Sequence, residues 1–130
     1  MAVSINWLAI ALAALSSFVI GGLWYSLLFA KPWQRAAGVT DEQLKTGVAR
    51  VFGGSLILAI VMAVSLAAFI GSNGFGFGVF AGFATGATFV AAAFGVNYLF
   101  ERRSLVLFAI NGSYNVVSFT VMGAIIGALQ

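Results

Sequence analysis

Histidine and cysteine are absent from this chain of 130 residues. Without imidazole or thiolate there is no Ser-His-Asp triad, no cysteine nucleophile, no disulfide and none of the usual zinc, haem or iron–sulfur ligand sets. The redox state of the compartment therefore leaves no trace in the sequence. Charge is scarce as well. Six Lys and Arg stand against three Asp and Glu, together 7% of the residues, where a soluble domain carries about 25%. A surface so poor in charge would not stay dissolved in water, so the solvent must be lipid. The net charge of +3 is too small, and no basic stretch is interleaved with aromatics, so a nucleic-acid partner is excluded. No charge sits in the middle of an apolar run, which leaves a proton-coupled pump without a relay. An enzyme would have only Tyr, Asn and Glu101 to work with. We therefore expect no catalytic activity, no cofactor and no metal.

What the chain has in abundance is apolar length. Hydrophobic residues make up 62% of it, and the mean hydropathy is +1.11. Four apolar runs, at about 7–29, 48–71, 77–100 and 105–129, each exceed the roughly 20 residues that cross a 30 Å hydrocarbon core. In lipid the backbone must satisfy its own hydrogen bonds, so each run should be helical. The expected fold is an all-α membrane protein, a single domain over 1–130, whose four transmembrane helices form two antiparallel hairpins of one helical bundle. No Lys or Arg precedes the first run, which is too long for a signal-peptide core and reads as a retained helix. That helix should end near Lys31-Pro32, since the residue before proline resists the α conformation. Thr40 to Gln43 has the spacing of a capping box, flanked by Val39 and Leu44 as a hydrophobic staple. The second helix is thus expected to start in water near Asp41 and to enter the membrane after Arg50.

Small residues recur at spacing four in every run: Ala9, Ala13, Ser17 and Gly21; Ala59, Ala63, Ala67 and Gly71; Gly78, Gly82 and Gly86; Gly123 and Gly127. Such faces let helices approach closely where no hydrophobic effect drives them together. They are more numerous than one bundle needs for itself, which points to a homo-oligomer or a larger membrane assembly. Orientation follows from charge. All six Lys and Arg lie in 30–50 and 101–104, so positive-inside logic places those loops in the cytoplasm and both termini outside the cytoplasmic (inner) membrane. Trp7 and Trp33 suit the two interfaces as anchors.

The residues able to carry chemistry are polar side chains inside the runs. At 1.5 Å per residue Asn97 lies about 6 Å in from Glu101, Asn111 about 12 Å in from Arg103 and Asn115 about 18 Å, near the midplane. Asn111, Asn115, Ser118 and Met122 share one helical face. Trp24 and Tyr25 are roughly 10 Å in from Lys31. The candidate site is a cavity open to the cytoplasm and lined by Trp24, Tyr25, Asn97, Tyr98, Glu101, Asn111, Tyr114 and Asn115. The plainer alternative is that these groups only hydrogen-bond between helices. Two functions follow. One is a structural or accessory helical-bundle subunit; the other is a channel, carrier or binding protein for a small neutral or weakly polar solute.

Two motif matches are to be refused. Asn111-Gly112-Ser113 fits a glycosylation sequon but lies at membrane depth. Gly76-x-Gly78-x-x-Ala81 fits part of a dinucleotide fingerprint with no strand before it. A broader likeness spans nearly the whole chain. Asn6-Trp7, Gly22-x-Trp24-Tyr25, Lys31-x-Trp33, Gly38-Val39-Thr40, Glu101-Arg102-Arg103-Ser104, and Asn111 with Tyr114 resemble a family of small bacterial membrane proteins known only as a domain of unknown function. The resemblance implies four membrane helices and brings no activity, substrate or catalytic residue.

Overall fold

The computed structural model describes residues 5–130. Four helices are long and apolar enough to cross a membrane: α1 (Trp7–Leu28), α4 (Val48–Ile70), α5 (Gly74–Phe100) and α6 (Leu105–Leu129). Two short helices, α2 (Ala30–Ala37) and α3 (Asp41–Leu44), lie between α1 and α4. Side chains cap the starts of two spans. Asn6 Oδ1 accepts the Ala9 N–H at 3.2 Å, and Ser104 Oγ accepts the Leu107 N–H at 3.2 Å, each satisfying a donor that a helix start leaves unpaired. The third span starts at Gly74, earlier than the expected 77, because Asn73 folds its side chain back onto the Ile70 carbonyl and shortens the turn.

Pro32 does not end α1, contrary to expectation. The break comes at Phe29 (φ −128°, ψ 23°), and Pro32 sits in the first turn of α2, where a missing N–H is tolerated. The capping box is present: Thr40 Oγ1 accepts the Gln43 N–H, and Gln43 Oε1 accepts the Thr40 N–H at 2.8 Å. It opens only the single turn α3, however, and not the second span. Gly47, at φ 66°, turns the chain before α4 begins at Val48. A left-handed residue cannot continue a helix, so the expected continuous helix from Asp41 is divided in two.

Helix α6 is the centre of the bundle and touches α1, α4 and α5. The buried core joins Ala9, Ile10 and Ala13 of α1, Ala63, Leu66, Ala67 and Ile70 of α4, Ala81 of α5, and Phe119, Met122 and Ile126 of α6. The closest approach is between α5 and α6, which run antiparallel. Gly78 faces Gly123 and Gly127, Gly82 faces Phe119 and Thr120, and Gly86 faces Asn115 and Val116. A Cβ on Gly82 would collide with the Phe119 carbonyl. In α1, Ala9, Ala13 and Ser17 are buried and Gly21 meets the Tyr114 ring; in α4, Ala59, Ala63 and Ala67 are buried. All four small-residue ladders are therefore engaged inside one chain. Most of these four faces are used within the bundle, α6 taking up those of two neighbours, while Gly71 has open space where a Cβ would be.

The two ends of the bundle differ. At one, Gln130 Nε2 donates to the carbonyls of Ala67 and Gly71 at 2.9 Å each, and its Oε1 accepts the Asn6 N–H at 3.0 Å. Every charged side chain lies at the other end, within Lys31 to Arg50 or Glu101 to Arg103. There α4 is little covered: each residue from Val48 to Leu58 is exposed, with the Phe52 ring meeting Phe18 of α1 at 6.5 Å between centroids, and burial begins only at Ala59.

Candidate functional site

The polar side chains of the sequence reading are positioned by two departures from regular α-helix. Leu23–Leu28 of α1 and Thr85–Ala91 of α5 are π-helical. Such wide turns occur mostly as local insertions, often near functional groups. Each inserts a residue into the turn and so rotates everything after it by about 100° around the axis. In α5 the consequence is visible in burial. Gly86 is buried and the next buried residue is Ala91, five positions on, while Phe89 is 73% exposed. The inner face then continues through Gly95 and Tyr98.

Asn111 of α6 is the point of convergence. Its Oδ1 accepts a hydrogen bond from the Tyr25 hydroxyl of α1 at 2.6 Å, and its Nδ2 donates to the Tyr98 hydroxyl of α5 at 2.7 Å. One amide therefore ties three helices. Around it the Trp24 Nε1 donates to the Ile110 carbonyl at 3.1 Å, and the Tyr114 hydroxyl donates to the Ser17 carbonyl at 2.9 Å. Tyr25 is packed edge-on between Tyr114, at 5.2 Å between centroids, and Trp33 of α2, at 5.4 Å, a preferred geometry for aromatic pairs. Asn115 Nδ2 donates to the Asn111 carbonyl one turn back at 2.8 Å. It lies beside the cluster without crossing to another helix.

Of the eight residues singled out from sequence, the structure brings together Trp24, Tyr25, Tyr98, Asn111 and Tyr114, with Asn115 alongside. Asn97 and Glu101 do not join them. The π-turn of α5 accounts for Asn97. Eleven residues beyond Gly86, it would fall on the glycine face of a regular helix; the inserted residue turns it outward and puts Tyr98 in its place. Asn97 is exposed. Glu101 lies in the turn beyond α5, exposed, with its carboxylate 3.5 Å from Arg103 Nε. Trp33 was read only as an interface anchor, and nothing in its spacing marks it as a ring packed on Tyr25.

One cavity of about 280 Å³ lies between α4, α5 and α6, bounded by Met62, Leu66, Phe69, Thr85 and Phe119 among others. Another, of about 360 Å³, lies at the charged end against α2 and the start of α6. Neither touches any of the eight. Among the described residues, no buried side-chain N or O lacks a hydrogen-bond partner. The Asn111 cluster is a satisfied network joining helices, with no buried polar atom left for a ligand.

The family model described as "Protein of unknown function (DUF1761)" matches residues 8–127. No curated protein and no solved structure matches the chain.

Proposed function

We propose, for a chain that belongs to the DUF1761 family of unknown function, a structural or accessory role in the cytoplasmic membrane exercised through helix α4. The charged loops face the cytoplasm and both termini lie outside, as the confinement of all six Lys and Arg to one end of the bundle suggests. The observation that carries the reading is the exposure of every residue from Val48 to Leu58. The other three spans alternate between covered and exposed positions along their whole length. In this half of α4 no residue is buried, although Phe52 meets the Phe18 ring of α1, and Gly53 and Gly54 have open space where a Cβ would be. A partner helix can approach closely at such a position. The partner is a second copy or another subunit. We assign no reaction, in keeping with a chain that has neither His nor Cys.

The natural absence of cysteine makes the test clean. Single Ser55→Cys and Leu58→Cys variants are expected to form cross-linked adducts in native membranes, whereas Val19→Cys on α1 should not. A protein that stays monomeric in mild detergent, and forms no adduct from either α4 position, would overturn the proposal. The rival reading, a carrier or binding protein for a small weakly polar solute, has less support. The Asn111 amide on which it leans already bonds two tyrosines.

A further inference from the structure

The open cavity at the charged end has a lining with a definite chemistry. Arg35 and Ala36, on α2, form one wall with Pro32; Ser104 and Val106, at the start of α6, form the other. Its two polar side chains are both donors. The one ion pair among the described residues joins Arg103 to Glu101, so the Arg35 guanidinium has no carboxylate of its own. Ser104 Oγ already accepts the Leu107 N–H, and its own proton remains to be given. No carboxylate borders the space. Arg103 stands at its edge, its Nη1 on the Ala37 carbonyl at 3.4 Å and its charge paired with Glu101. A guanidinium and a hydroxyl with no acceptor beside them call for an anion rich in acceptor oxygens.

The remaining lining decides which anion. Pro32, Ala36 and Val106 are apolar, and the cavity sits where α6 leaves the membrane. Helix α2 carries Lys31, Gln34 and Arg35 within Ala30–Ala37, and its Trp33 packs against Tyr25 of α1. A short amphipathic helix held in this way lies along the interface, at the depth of lipid headgroups. A free inorganic anion would gain nothing from the apolar walls, whereas a phospholipid would use both parts. We propose that this cavity binds the phosphate of one anionic phospholipid, with Arg35 and Ser104 on the phosphate oxygens and the first part of an acyl chain against Pro32 and Val106. The site is separate from the α4 surface and requires only that the four spans lie in a membrane.

The test is native mass spectrometry of the protein released from membranes containing phosphatidylglycerol, with phosphatidylcholine membranes as the comparison. Wild type should retain one phosphatidylglycerol per chain, and Arg35→Gln should weaken retention about tenfold, as the loss of a charge-assisted contact does. Lys45→Gln removes the same charge outside the cavity and should leave retention unchanged. Millimolar inorganic phosphate should not displace the lipid. Equal losses in Arg35→Gln and Lys45→Gln would reduce the effect to general attraction between a basic loop and an anionic surface, and would overturn the site. Displacement by free phosphate, or equal retention of phosphatidylcholine, would overturn the assignment to an anionic lipid.

Discussion

The two halves of this bundle are held together in different ways. Toward the uncharged end, helices meet backbone to backbone: Gly78 and Gly82 lie directly on α6, and Gln130 closes the end by bonding α4 and the start of α1. Toward the charged end, no such approach occurs between α1, α5 and α6. There the helices are spaced by Trp24, Tyr25, Tyr98 and Tyr114 and joined by side-chain hydrogen bonds centred on Asn111, while the first half of α4 is exposed. Contact between glycines gains its stability from dispersion over a long seam and tolerates no added atom. Contact through ring hydroxyls is local, and each bond contributes only about 0.6 kcal/mol in a membrane. The first half is rigid by geometry, and the second by a small number of directed bonds.

The largest effect should come from the glycine seam. Gly82→Ala sets a methyl group against the Phe119 carbonyl and the Thr120 Cα, both of them backbone atoms with nowhere to move. We expect a loss of about 3 kcal/mol or more, read as a lowered midpoint of unfolding in mixed micelles. Gly53→Ala, where nothing lies within 4 Å, should leave that midpoint unchanged or slightly raised. Comparable losses at the two glycines would erase the distinction between the halves.

A smaller effect is expected at the polar junction. Asn111→Ala removes both tyrosine bonds and should cost about 1 kcal/mol. Asn97→Ala, on the exposed side of α5, should cost nothing measurable by the same unfolding assay. If Asn97→Ala were the more damaging of the two, the rotation attributed to the π-turn of α5 would be wrong. Least of all should be felt outside the bundle. Thr40→Ala removes the cap of α3, a local change of about 1 kcal/mol. It should speed hydrogen exchange at Gln43 without moving global unfolding, because α3 is exposed along its length.

These contrasts also show how far the sequence can be read. The spans were legible because lipid imposes one answer on a long apolar run: a helix of sufficient length. Thr40 with Gln43 as a capping box was legible because capping is local chemistry; Asn6 and Ser104 cap their helices by the same chemistry but were not singled out. The partner of each ladder was not, since Ala9 and Gly78 present equally small faces and only the assembled bundle decides what meets them. The π-turns were hidden for a different reason. Thr85–Ala91 contains nothing that forbids a regular helix, and the wide turn is settled by the packing on either side of it. The outward turn of Asn97 and the inward turn of Tyr98 both follow from that one inserted residue.

The central place of α6 bears on how the protein is made. Of the four spans, the helix that all the others touch leaves the ribosome last. Until it enters the bilayer, α1 and α5 share only α4 as a neighbour, and the glycines of α5 that meet α6 have no partner. The glycine seam must therefore wait for α6, which joins three helices already inserted.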